Sequence, residues 1–329
     1  MKSLWIKRIA LLTSSTFLCL LILLLLEAGT RIFRPEIGFQ DTERSLENRR
    51  AFGNSWAWVP NASGVCFGKQ ITIDEFGFRK MKVPENYTSS WLILGDSVTF
   101  GVGVDTEDTY IQLLQNALPG VRLWNTAVLG YDFNNYKDVL HHWLVEDQSI
   151  PNINKVVLFI CLNDLDLSNT AEENPHIKPV SSNNLEKALS FFRRHSKLYI
   201  LLKNMISDRS KVYFQHDFQL YDNKGGAFTE SMRLVDEMHT LLRKRNIDFL
   251  AVILPYEYQI RTKEEKYLRP QKLLTTHFKE VGIPYIDTYP YFERAGNEQK
   301  YFLYGDFSHL SKNGHQVVAN ALIEHFKAE

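Results

Sequence analysis

With 329 residues, 44% of them hydrophobic and 13% aromatic, the chain can bury one large core and carry attachments. Lysine plus arginine and aspartate plus glutamate balance at 38 each, so no net charge draws it to nucleic acid, which is not expected as a partner.

Ile9 to Leu26 contains no charged residue and is almost wholly apolar from Phe17 onward. Roughly 20 such residues cross the hydrocarbon core of a bilayer as a helix. Lys2, Lys7 and Arg8 precede the run and are expected to stay on the cytoplasmic side; Arg31 and Arg34 dilute that bias without removing it. A cleaved signal peptide is the rival, but Leu26-Glu27-Ala28-Gly29-Thr30 is a poor small-x-small site. The expected organisation is a cytoplasmic N-terminus at 1–8, a single-pass anchor at 9–28 and an extracytoplasmic remainder, periplasmic if the cell is bacterial. Outside the span only Cys66 and Cys161 remain, enough for one disulfide, and the apolar strand pattern around Cys161 favours a buried thiol instead.

Residues 29–89 are irregular, with Trp56-Ala57-Trp58 and then an alternating Ile71-Thr72-Ile73 that breaks at Gly77. They are expected to form a linker packed along the domain edge rather than a substrate groove. From 90 to 329 the pattern becomes regular. Apolar runs at Trp91–Leu94, Val121–Trp124, Val156–Leu162, Phe249–Leu254 and Pro284–Ile286 alternate with helical stretches near Tyr110–Ala117, Asn134–Leu144, Phe228–Arg245 and Lys263–Val281. That alternation predicts a parallel sheet covered on both faces, with its chemistry beyond the carboxyl ends of the strands. An insertion at about 165–226 breaks the rhythm. Its stretch from Phe191 to Lys203 joins an apolar stripe to a basic face and suits a packing helix, a bilayer-surface helix or a lid.

Gly95-Asp96-Ser97-Val98 follows the first of these strands, where an α/β sheet can expose a nucleophile. A serine hydroxyl needs a base, and Asp306-Phe307-Ser308-His309, just before a final amphipathic helix, offers one with an orienting carboxylate three positions earlier. Donors for an oxyanion are expected at two further strand ends, the backbone N–H of Gly130 and the side-chain amide of Asn163, with the Ser97 N–H as a third. Asp96 and Asp164 are expected to hold loops through backbone hydrogen bonds. His141 and His142 are adjacent and expected to diverge, and no other spacing suggests a metal, so neither metal nor other cofactor is expected.

These blocks, in the order Gly95-Asp96-Ser97, Gly130, Asn163-Asp164 and Asp306-x-x-His309, resemble the SGNH hydrolase family, also called the GDSL lipase/esterase family, from about Ser90 to Phe326. Val98 departs from the leucine of that name, and Cys161 stands where a glycine usually precedes the Asn-Asp pair. The resemblance implies a flavodoxin-like three-layer αβα sandwich with about five parallel strands, Ser97, His309 and Asp306 as catalytic residues, and an oxyanion hole of Ser97, Gly130 and Asn163.

The implied reaction is acyl transfer through a serine ester. With water as acceptor the protein is an esterase acting on an acylated glycan or lipid ester beyond the membrane. With a sugar hydroxyl as acceptor it is an O-acyltransferase for a cell-surface polysaccharide, needing a separate multi-pass partner to bring the acyl donor across. A reading of another class is a non-catalytic, membrane-anchored glycan-binding module, which has no evident need for Ser97, Asp306 and His309 together.

Overall fold

The computed structural model describes residues 2–43, 46–53, 55–167, 184–222, 226–296 and 300–328. The N-terminal run forms one unbroken helix, α1 (Lys2–Phe33), whose apolar side chains from Trp5 to Leu26 are exposed. Among the described residues it is the one helix long and apolar enough to cross a membrane. It continues past the expected end at 28. Its last two turns carry Thr30 and Arg31, which face protein: Thr30 is buried and Arg31 donates to the His195 carbonyl.

Two small antiparallel hairpins follow, β1 (Glu47–Phe52) with β2 (Ser55–Trp58), and β3 (Ser63–Cys66) with β4 (Lys69–Thr72). They pack firmly against the domain. Trp56 and Trp58 are buried, and their indole N–H groups donate to the carbonyls of Leu129 and Ala127. Arg79, also buried, donates to the carbonyls of Phe100, Gly101 and Val104 and so ties down the loop after Ser97.

The central sheet consists of β5 (Ser89–Leu94), β6 (Val121–Asn125), β7 (Ile153–Ile160), β8 (Asp248–Ile253) and β9 (Tyr285–Asp287). All neighbours are parallel, in the order β6-β5-β7-β8-β9. Continuous apolar runs fit strands buried on both faces, and Val156 to Ile160 are fully buried. β7 begins at Ile153, three residues before its apolar run, where the Lys155 Nζ lies 4.9 Å from the Trp91 ring of neighbouring β5.

The helices are α2 (Ser97–Phe100), α3 (Tyr110–Ala117), α4 (Phe133–His141), α5 (Asn184–His195), α6 (Lys197–Ile206), α7 (Arg209–Leu220), α8 (Ala227–Lys244), α9 (Glu257–Thr262), α10 (Arg269–Val281), α11 (Tyr289–Ala295) and α12 (Lys312–Ala328). The chain leaves β5 toward β6 on one side and later builds β7, β8 and β9 on the other. Right-handed crossovers then put α3 and α12 on one face and α4, α8 and α10 on the opposite face, and α3 does pack on α12 and α4 on α8. The fold is a three-layer αβα sandwich whose topological switch point lies between the carboxyl ends of β5 and β7.

Three local departures have clear causes. The helical pattern across 191–203 is two helices, because Ser196 turns out of α5 and caps α6 through its hydroxyl on the Tyr199 N–H. The helix expected from 263 begins only at Arg269, because Lys263, at φ +55°, ends α9, a 3-10 turn takes up Glu265–Leu268, and Pro270 sits in the first turn of α10. His141 and His142 do not diverge: a π turn over His142–Glu146 brings both imidazoles to the Glu146 carboxylate at 3.1 Å.

Candidate active site

Ser97 is the first residue of α2, directly beyond β5. Asp96 caps that helix, its Oδ1 accepting the Val98 N–H at 2.9 Å, and this turns the serine out at the sheet edge. From the other end of the chain, the bridge between Phe302 and Leu310 closes a loop, with the Leu303 N–H donating to the His309 carbonyl at 2.9 Å. That loop sets His309 Nε2 2.8 Å from Ser97 Oγ and His309 Nδ1 2.8 Å from Asp306 Oδ2. The other Asp306 oxygen accepts the N–H groups of Ser308 and His309 at 3.1 and 3.0 Å, so the carboxylate cannot swing away.

The electrostatics follow from that wiring. Burial opposes charge on Asp306, but the His309 imidazole, by its charge and its hydrogen bond, outweighs it and brings the carboxyl down to about 2. Burial likewise opposes charge on His309, and the Asp306 carboxylate overcomes it and raises the imidazole above its ordinary 6.5. An ionised Asp306 accepting from Nδ1–H leaves Nε2 as the acceptor facing the serine hydroxyl. Phe67, at the tip of the β3–β4 hairpin, lies edge-on to the His309 ring at 5.4 Å and helps fix its plane. His315, six residues on, is buried elsewhere: it accepts the Tyr110 N–H, and burial drives its pKa down to about 3, which makes it a neutral packing histidine.

The two expected donor loops flank the same switch point. Gly130 has φ +76°, a conformation that a side chain would strain, and its loop is pinned by the Trp56 and Trp58 indoles and by the Tyr131 hydroxyl on the Trp56 carbonyl. Asn163 lies in the 3-10 turn Leu162–Leu165 after β7. Asp164 beside it is fully buried and accepts the Cys161 N–H and the Tyr136 hydroxyl, each at 2.9 Å.

Sequence reading missed the groups behind Asn163. The Tyr256 hydroxyl lies 3.1 Å from Asn163 Oδ1 and 2.7 Å from Asp217 Oδ2. One hydroxyl has one proton. It serves Asn163 Oδ1 or Asp217 at one time; burial raises the Asp217 pKa, against His216, whose Nδ1 lies 3.0 Å from Oδ1, and against the Tyr256 hydroxyl itself. With Oδ1 turned to Tyr256, the NH₂ of Asn163 is the donor still to be used. Tyr256 follows the carboxyl end of β8, a position that could have flagged it; Asp217 sits in the insertion, on α7, with no sequence signal. Cys66 and Cys161 are both buried thiols, not a disulfide. Among the described residues no cluster of His, Cys, Asp and Glu has a metal-binding arrangement. A hollow lined by Lys137, His141, Glu146 and Met238 contains none of Ser97, Asn163 or His309.

A doubly wound parallel sheet with a serine, an imidazole and a carboxylate in hydrogen-bonded series at its switch point defines an α/β serine hydrolase. The model of the GDSL-like Lipase/Acylhydrolase family matches residues 93–317, most of the chain, and the protein belongs to that family, whose members hydrolyse esters. Among solved structures, the chain is similar to a member of the lipolytic protein G-D-S-L family from Veillonella parvula DSM 2008, at 13% identity and a TM-score of 0.46, covering 73% of this chain and 99% of that one. It is also similar to Axe2, an acetylxylan esterase from Geobacillus stearothermophilus, at 13% identity and a TM-score of 0.44, covering 73% of this chain and 94% of that one. A comparison with curated proteins returns no match.

Proposed function

We propose that the protein is a membrane-anchored serine esterase that removes acetyl-sized acyl groups from a glycan or lipid on the extracytoplasmic side, with Ser97, His309 and Asp306 as its catalytic residues. The observation that supports this most directly is the unbroken chain from Ser97 Oγ through His309 to Asp306, 2.8 Å at each link. His309 Nε2 takes the hydroxyl proton as Ser97 Oγ attacks the ester carbonyl. The N–H groups of Ser97 and Gly130 and the Asn163 amide hold the oxyanion, which is the step where preorganised donors contribute most. The tetrahedral species collapses, the imidazolium gives its proton to the departing alcohol, and an acyl-serine remains. Water, deprotonated by His309, then attacks that acyl group, and the free acid leaves with Ser97 restored.

The anchor is the exposed apolar helix at 9–28, with the basic N-terminus at 1–8 on the cytoplasmic side. Residues 29–89 join it to the hydrolase domain at 90–329. The test is hydrolysis of a small acetyl ester by full-length protein, with and without a glycan acceptor. The reading expects release of acetate that is lost in Ser97→Ala and in His309→Ala. Acetate appearing on the acceptor instead of in solution would make the protein an O-acyltransferase, and full activity in Ser97→Ala would defeat both.

A further inference from the structure

The tail of α1 and α6 pack side by side, and contacts at their two ends fix how they run. At the near end the Glu27 carboxylate sits on the N-terminus of α6. It accepts from the Ser196 hydroxyl and the Leu198 N–H at 2.9 Å and from the Lys197 N–H at 3.0 Å, and it pairs with Arg31 at 2.7 Å. At the far end the Arg34 guanidinium lies 5.2 Å from the Tyr304 ring, and Gln40 Nε2 donates to the Tyr304 carbonyl at 3.3 Å. There too the Asn204 side chain, late in α6, presses on Gly305 so closely that a Cβ would fall 2.1 Å from its Nδ2. Gly305 adjoins Asp306. The two helices are parallel struts between Glu27 and the loop that carries Asp306 and His309.

This strut sets a height. The uncharged run ends at Leu26, so in a bilayer Glu27 marks the edge of the hydrocarbon. The seven helical residues Glu27 to Phe33, which lead into Arg34, rise about 10 Å. The polar headgroup layer is roughly 5–8 Å deep on each side, so with α1 upright in the bilayer the catalytic loop would stand at its outer margin. A glycerol ester lies about that far below, and raising it would draw acyl methylenes into water at about 0.8 kcal/mol each.

The elements packed on the catalytic loop have the chemistry of such a boundary. Leu202, Met205 and Ile206 of α6 and Tyr213 of α7 are exposed apolar side chains, and Tyr213 stacks on Phe307, beside His309, with ring centres 4.5 Å apart. Lys203 and Arg209 place positive charge close to Asp306 and His309.

We propose that the strut holds the site at headgroup height, so that its substrate is an ester borne on the polar head of an anionic amphiphile that stays in the bilayer, such as an acylated lipid-linked sugar. This rests on the anchored-esterase reading given above, and the experiment separates the two.

Full-length protein is reconstituted in phosphatidylcholine–phosphatidylglycerol vesicles. It is given one fluorogenic acetyl ester in four forms: untethered, or joined to a phospholipid at glycerol level, by a spacer of about 10 Å, or by one several times longer. The expected result is Ser97-dependent hydrolysis of the untethered ester and a turnover for the short tether at least tenfold above that at glycerol level, declining for the long tether. Glu27→Ala, which frees the struts, is expected to erase the preference for the short tether and leave the untethered rate unchanged. Equal rates at every height, a maximum at glycerol level, or an unaltered preference in Glu27→Ala would overturn the height proposal while the esterase reading stands. Failure of Ser97-dependent hydrolysis of the untethered ester would instead overturn the esterase reading.

Discussion

Replacing Asp306 by asparagine perturbs a single link, and its consequences can be worked out from the wiring. A carboxyl held at about 2 against an ordinary 3.8 has its charged form favoured by about 2 kcal/mol in the folded protein. Asparagine removes that charge and can present an N–H to Nδ1, which would turn the imidazole to the tautomer that carries its proton on Nε2, facing Ser97. Turnover at neutral pH should fall roughly 10³–10⁴-fold, as when the buried carboxylate of a serine triad is neutralised. The pH profile carries a second sign. In the unmodified protein kcat/KM should rise with pH through an inflection above 6.5, because His309 must be neutral to act and Asp306 holds its pKa up. In Asp306→Asn, burial and the nearby Arg209 still oppose the imidazolium and only Asp96, which acts more weakly than burial, favours it, so the inflection should move to lower pH. Stability follows the same pair. At pH 6 both partners are charged, and the substitution should cost about 2 kcal/mol. The cost should shrink as pH rises through the His309 pKa, and the Asp306 contribution should also disappear as pH falls from 3.8 through about 2. Stopped assays of ester hydrolysis across pH, with thermal melts at the same pH values, read both effects. Activity within tenfold of the unmodified protein and an unmoved inflection would refute the assignment of Asp306.

Asn163→Ala should lower kcat roughly 10²–10³-fold with little change in KM, the loss expected for one oxyanion donor, and comparable rates would remove Asn163 from the site. Tyr256→Phe deletes only the hydroxyl behind that amide, a hydrogen bond worth about 1 kcal/mol, so steady-state kinetics should show a several-fold fall in kcat alone; a pure KM effect would mean that Tyr256 contacts substrate instead. Gly130→Ala forces a side chain into φ +76° and should destabilise by about 1 kcal/mol in a denaturant melt while also slowing turnover. Arg79→Ala leaves three carbonyls of the loop after Ser97 without their donor, and a loss of about 3 kcal/mol or more is expected; an unchanged melting temperature would contradict that role.

The sheet was legible in the sequence because parallel strands buried on both faces leave uninterrupted apolar runs, and each chemical block stands at the end of one or just before the last helix. Ser97, Gly130, Asn163 and the Asp306 to His309 pair could therefore be proposed from the sequence, and the structure brings Ser97, His309 and Asp306 into hydrogen-bonding series. Of the hairpins at 47–72 only the alternation at Ile71-Thr72-Ile73 was legible: their strands are short, and Trp56 and Trp58 are buried by contacts with residues some 70 positions away. Tyr256 and Asp217 escaped for the same reason, since a tyrosine after β8 and an aspartate on α7 meet Asn163 only through tertiary packing. The continuation of α1 to Phe33 was hidden because polarity returns at Glu27, and hydropathy marks where a span ends rather than where a helix does.

The central claim is that Ser97 is a nucleophile activated by His309, and covalent labelling tests it most directly. Full-length protein treated with a fluorophosphonate and mapped by mass spectrometry should carry one adduct, on Ser97, formed at a rate that rises with pH as His309 loses its proton, and His309→Ala should be nearly inert. An adduct on another residue, or undiminished labelling of Ser97 in His309→Ala, would contradict the account.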